Sequence, residues 1–234
     1  MKIKVGGYKT LVELFNSLCG SKSLWEVFND CISLFSLSFQ NLTENGEKFK
    51  ENEVNYKNII NKYDKSKQEI IIRIFAEITN KLEDNPFQDF FGELFMRLNF
   101  GSEALGQFFT PYHLAQLNAR VIDISLIKKQ ISEKGFVVIS EPACGAGANV
   151  IAFMEHVHEN GIAFQKRIIV GCQDVSALTA RLCHVALSLL GVQAVIKIGD
   201  TLAAPFISYR EEKAKKANLL ITPSFVYYGG YGKV

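Results

Sequence analysis

Long hydrophobic runs are absent from this sequence: nowhere in its 234 residues do about 18 apolar side chains follow one another without a charge, and no apolar block follows the basic residues that open it. Neither a membrane-spanning helix nor a secretory leader is expected, and a cytoplasmic protein is. The five cysteines, at positions 19, 31, 144, 172 and 183, form no CxxC pair and cannot all be matched. No disulfide framework or structural zinc site is therefore expected, and a reducing compartment suits them. The four histidines add no metal constellation, because His156 and His158 are two apart in a helical stretch and face different ways. Strong charge is also lacking. A formal net charge of +2 and a pI near 8.2 decide nothing about a nucleic-acid partner, which calls for a clustered basic face.

What the chain does have is 48% hydrophobic residues, enough for one sizeable core with a smaller helical domain attached. Residues 1–100 read as that helical domain. After Ser23, a candidate cap, Leu24, Phe28, Cys31, Ile32 and Phe35 recur at helical spacing. Residues 41–67 are rich in charge but keep an apolar stripe, and are expected as an exposed helix. Ile70, Ile71, Ile74, Phe75 and Ile78 mark a helix over 68–82, and Asn85-Pro86 breaks the chain before a helix that opens at Pro86 and places six large apolar groups in the core. From 101 to 234 the pattern changes to short apolar strands, at 136–140, 167–172, 194–198 and 218–221, with helices over 148–158 and 176–190. This is the α/β pattern of a parallel sheet built from βαβ units.

The most informative segment runs from Val138 to Gly147, a strand entering a glycine-bearing turn and then a helix. Such a turn lets backbone approach a ligand closely and turns helix amides toward an anion. Dinucleotide-binding folds use the same junction, but here Val150 occupies the third glycine position and Glu141-Pro142 precedes the turn, which disfavours a nicotinamide cofactor. Asp174 closes the second strand, where a carboxylate can accept from the ribose hydroxyls of a nucleoside cofactor. It is equally suited to capping the next helix, and the roles can coexist. Asp200, at the end of the third strand, supplies a second acid at an adjacent strand end, with capping again the alternative.

The run Glu141-Pro142-Ala143-Cys144-Gly145-Ala146-Gly147 resembles the Asp/Glu-Pro-x-Cys-Gly-[Ser/Ala]-Gly loop of amino-methylating DNA methyltransferases. Gly199-Asp200-Thr201-Leu202 resembles a second segment of that family, and Gly106-Gln107-Phe108-Phe109-Thr110-Pro111 the Gly-Gln-[Phe/Tyr]-[Phe/Tyr]-Thr-Pro segment of the adenine-specific methylase (M) subunits of type I restriction–modification systems. The resemblance implies a Rossmann-like S-adenosylmethionine-dependent methyltransferase core in residues 101–234, its sheet ordered 3-2-1-4 and lacking the last strands. It implies S-adenosylmethionine as cofactor, held by Phe108, Phe109, Thr110, Pro111, Glu141, Ala143, Gly145, Gly147, Asp174, Asp200 and Thr201, with Cys144 a packing residue. It also implies DNA as substrate and a specificity subunit as partner; an exposed edge at strand four invites pairing, and a partner such as that subunit, a dimer mate or a missing C-terminal portion is expected to cover it.

One departure bears on activity. The family's catalytic Asn-Pro-Pro-[Phe/Tyr] holds the target amino group and stacks the flipped base, whereas this chain has Thr222-Pro223-Ser224-Phe225 in its place. The aromatic platform is kept and the side-chain amide is not. Two functional expectations follow: methylation of adenine in DNA with Thr222 to Phe225 as the catalytic segment, or a catalytically inactive homologue that binds cofactor or a partner subunit; the Gly106 to Pro111 segment argues against a third, methylation of another planar amino group in RNA or protein glutamine.

Overall fold

A computed structural model describes residues 7–100, 109–215 and 217–232. The chain divides into two units, Met1–Pro86 with Phe90–Phe108, and Phe87–Asp89 with Phe109–Val234. Among the described residues no helix is long and apolar enough to cross a membrane.

The first unit consists of helices α1 (Tyr8–Cys19), α2 (Leu24–Asn41), α3 (Gly46–Ile60), α4 (Lys65–Asp84) and α5 (Phe90–Arg97). Ser23 starts α2 through a capping box: its hydroxyl accepts from Glu26 N while Glu26 accepts from Ser23 N. The stretch expected as one exposed helix over 41–67 ends at Ile60, and Asp64 caps a new helix by accepting from Lys67 N at 3.0 Å. The last helix begins at Phe90 rather than Pro86. Phe87 leaves the helical path and sets its ring against those of His158 and Phe164, 5.3 and 6.0 Å away in the second unit to which it belongs. Apolar stripes from α1, α2, α4 and α5 meet in a core that includes Phe15, Phe28, Ile74, Phe91 and Phe95.

The second unit carries α6 (Tyr112–Arg120), α7 (Ile124–Lys134), β1 (Val137–Glu141), α8 (Ala148–Glu159), α9 (Phe164–Arg167), β2 (Ile168–Asp174), α10 (Ala177–Leu190), β3 (Gln193–Ile198), α11 (Tyr209–Ala214), β4 (Leu219–Ile221) and α12 (Pro223–Tyr227). β1, β2 and β3 pair in parallel, as the alternating pattern predicted. Residues of β2 and β3 are almost all buried, which is why both read as continuous apolar runs.

The strand order differs from the expected 3-2-1-4: the sheet runs β1-β2-β3-β4, with β4 antiparallel to β3. The cause lies in the chain between β3 and β4. The buried Gln173 side chain holds it at the carboxyl end of the sheet by donating to Gly199 O and Ala204 O and accepting from Phe206 N at 2.7 Å. Lys197 Nζ donates to Ala204 O and forms a 2.7 Å ion pair with Glu212 on α11, both side chains being buried. Tied there, the chain re-enters beside β3 where Asn218 O accepts from Ile198 N, and has to run backwards. β1 therefore becomes an edge strand rather than a central one, with Val138 half exposed.

Beneath the β3 to β4 connection, Ile169, Val195, Tyr209, Ile221 and Phe225 form a buried cluster against which Phe206 packs. A Cβ on Gly171 would lie 2.6 Å from the Phe206 ring, so glycine at that point of β2 lets the ring lie on the sheet. On α10, His184 is fully buried and its Nε2 is 3.0 Å from Ile221 O.

Burial pushes the His184 pKa down to about 4, against an ordinary value of 6.5. Between those pH values the unfolded chain takes up a proton that the folded chain refuses. Stability is thus expected to fall by roughly 3 kcal/mol as pH drops from about 6.5 to 4, and to show no further His184 contribution below that. Denaturant midpoints of wild type and His184→Gln across this range check it, the variant being expected to lack that part of the slope.

Candidate cofactor site

The carboxyl ends of β1, β2 and β3 bring three loops together. After β1 the chain turns at Gly145 (φ 52°) and Gly147 (φ 97°), left-handed conformations that disfavour other residues, and enters α8. Gly147 N donates to Cys144 O, closing the turn, and Cys144 N donates to Gln173 O of the neighbouring strand.

Asp174 fixes this loop from β2. Its Oδ2 accepts from Gly145 N at 2.8 Å, and its Oδ1 from Ser176 N at 2.9 Å and the Thr179 hydroxyl at 2.8 Å. Three of the roughly four acceptor positions of the carboxylate are thereby used inside the protein. The residue expected as a ribose ligand is first of all the anchor of the glycine turn and of the α10 entry. Glu141 is engaged more lightly, accepting from Ala143 N at 3.1 Å and from the Asn149 amide at 3.3 Å.

From β3, Gly199 N donates to Asp174 O, which places Asp200 beside Asp174 at the strand ends. Asp200 is exposed and commits one oxygen to Leu202 N. The Thr201 hydroxyl donates to Pro142 O, joining this loop to the glycine turn. Phe109 closes the other side, since a Cβ on Gly145 would lie 3.4 Å from its ring. The fold therefore brings together Phe109, Glu141, Ala143, Gly145, Gly147, Asp174, Asp200 and Thr201. Thr110 and Pro111 are exposed just before α6, and Phe108 falls outside the described residues, as do Gly106 and Gln107. Beside Glu141, a groove of about 220 Å³ opens between α6, α8 and β1, with Asn118, Ser140 and Asn149 among its polar lining.

Thr222, Pro223, Ser224 and Phe225 are not part of this constellation. Because β4 runs backwards, Thr222 pairs with Ala194 near the start of β3, five residues upstream of Gly199, roughly 16 Å away at about 3.3 Å per residue. The fully buried Thr222 hydroxyl donates to Val192 O at 2.7 Å and accepts from Ala194 N at 2.9 Å. Pro223 opens α12, and Ser224 Oγ lies toward Gly191. Phe225 is fully buried against Tyr209, ring centroids 5.3 Å apart, and Gly230 packs so closely on its ring that a Cβ there would clash.

Two groups escaped the sequence reading. Gln173 clamps the β3 to β4 connection, but a strand-end glutamine carries no motif to announce it. Cys144, Cys172 and Cys183, from the turn, β2 and α10, bring their Sγ atoms within 4.8 Å of one another. Contacts among the three thiols draw Cys172 below the ordinary thiol range against the effect of burial, and push Cys144 and Cys183 well above it. Their irregular sequence spacing gave no sign of the cluster.

The profile of the family described as N-6 DNA Methylase matches residues 87–225, more than half of the chain. No curated protein matches it.

Replacing Asp174 by Asn is expected to loosen the turn, costing about 1–3 kcal/mol through the weakened bond to Gly145 N, and to speed amide exchange at Gly145 well above that of β2. Thr222→Val is expected to cost a similar 1–3 kcal/mol by leaving Ala194 N without its buried acceptor, measured by chemical denaturation.

Proposed function

The chain belongs to the N-6 DNA methylase family, and on that premise we propose that it binds S-adenosylmethionine at the β1 to α8 turn and serves in methylating the exocyclic amino group of adenine in DNA, as a modification subunit of the type I kind. The observation that carries this reading is the meeting of the Glu141 to Gly147 turn with Asp174 and the Asp200-Thr201 loop at the carboxyl ends of three parallel strands, where open α/β sheets take their ligands.

The residues present fit such a cofactor. Gly145 and Gly147 leave a turn without side chains into which an amino-acid moiety can settle, and Glu141 retains acceptor capacity for its ammonium group. Asp174 holds the turn and keeps about one acceptor position for a ribose hydroxyl. Asp200 offers its second oxygen to an adenine amino group, while Phe109, with Phe108, Thr110 and Pro111 around it in sequence, walls the methionine end. When bound, the sulfonium compound supplies an electrophilic methyl group. The protein then has to orient the nitrogen lone pair and exclude water.

Thr222, Pro223, Ser224 and Phe225 are the segment the resemblance assigns to the target base. A second reading, an inactive homologue that binds cofactor or a partner subunit, is favoured by one specific observation: the Thr222 hydroxyl is fully engaged with β3 and the Phe225 ring is buried. Under either reading a specificity subunit or dimer mate would cover the exposed sheet edge at β4, and the setting is cytoplasmic.

Calorimetric titration with S-adenosylmethionine tests the cofactor site. Saturable binding that Gly145→Val abolishes is expected, and no binding to wild type would end the proposal. Transfer of labelled methyl groups to unmethylated DNA then separates the readings: incorporation supports the enzyme, and binding without incorporation supports the inactive homologue.

A further inference from the structure

Three of the five cysteines converge under the glycine turn. Cys144, Cys172 and Cys183 come from separate elements, and their sulfur atoms lie within 4.8 Å of one another. Cys172 and Cys183 are fully buried and Cys144 nearly so. Buried cysteines ordinarily serve as small apolar groups, and one or two packed at random would call for no other account. Three sulfurs from separate elements within 4.8 Å of one another are a different arrangement. An ion bonded to three thiolates at about 2.3 Å spaces them about 4 Å apart, so the trio needs little contraction to take one.

We propose that Cys144, Cys172 and Cys183 form a three-coordinate thiolate site for copper(I). Soft thiolates select soft ions, copper(I) among them. Structural zinc requires a fourth ligand, and no further histidine, cysteine, aspartate or glutamate joins the trio among the described residues. His184, next to Cys183 in sequence, faces Ile221 O instead. The negative charge that builds up on the sulfurs meets the positive end of α8: Cys183 Sγ lies 3.3 Å from where a Cβ of Gly147, the N-cap, would stand. Binding forms three copper–sulfur bonds, releases the thiol protons to solvent and changes no oxidation state. The ion would fasten the glycine turn to β2 and α10, and this site does not depend on what the neighbouring crevice binds.

The test is an anaerobic titration of the full chain with copper(I) alone, in competition with a chromophoric copper(I) chelator. Expected are one copper per chain by native mass spectrometry, ultraviolet thiolate-to-copper absorption, and a rise in thermal midpoint. Each of Cys144→Ala, Cys172→Ala and Cys183→Ala loses the ion, whereas a Cys19→Ala/Cys31→Ala double variant retains it. Should a variant not fold, alkylation of the wild-type chain read by peptide mass spectrometry decides, at a denaturant concentration that opens all three buried thiols of the copper-free chain to the reagent: copper is expected to protect Cys144, Cys172 and Cys183 together there and to leave Cys19 reactive. No binding, binding that survives in the folded single variants, protection confined to Cys19 and Cys31, or zinc held as tightly as copper would overturn the proposal.

Discussion

The bond on which the second unit depends is the one between Asp174 Oδ2 and Gly145 N, two groups 29 residues apart in sequence and 2.8 Å apart in space. A carboxylate accepting from a backbone amide makes a stronger contact than a neutral pair does. Here it holds a turn whose glycines have left-handed backbone and so contribute little rigidity of their own. Its other oxygen orders the start of α10 through Ser176 and Thr179. One side chain thus sets the glycine turn and the direction of the helix behind it.

The same end of the sheet holds the chain after β3. Gln173 satisfies three backbone groups of the connection, and the buried pair of Lys197 and Glu212 fixes α11 to β3. The Gln173, Lys197 and Glu212 side chains are buried and would be costly unmatched. Together they oblige the chain to turn back along β3 instead of crossing to β1. That reversal carries Thr222 and Phe225 to the amino end, where they become part of the packing around β3.

Much of the fold was legible in the sequence. The glycine turn, the three parallel strands and their helices follow from apolar runs bounded by glycines, and β1 to β3 lie within two residues of the stretches that periodicity picks out. The convergence of Glu141, Asp174 and Asp200 was legible for the same reason, since parallel strands put their carboxyl ends on one side. The position of β4 was not. A three-residue strand has no periodicity to read, and its pairing is decided by the side chains of Gln173, Lys197 and Glu212, none of which belongs to a motif. Nor was the helix start at Phe90 legible, because Phe87 is drawn away by His158 and Phe164. The cysteine trio was hidden for a related reason: positions 144, 172 and 183 meet only after three different elements are placed.

We propose, centrally, that the Glu141 to Gly147 turn together with Asp174 and Asp200 holds a nucleoside bearing an amino-acid end. A crystal structure of the chain with the demethylated cofactor product, S-adenosylhomocysteine, tests it most directly. The amino-acid end is expected against the Glu141 to Gly147 turn, with the adenosine toward Asp174 and Asp200. The compound bound elsewhere on the chain, or this site empty at saturating concentration, would contradict it.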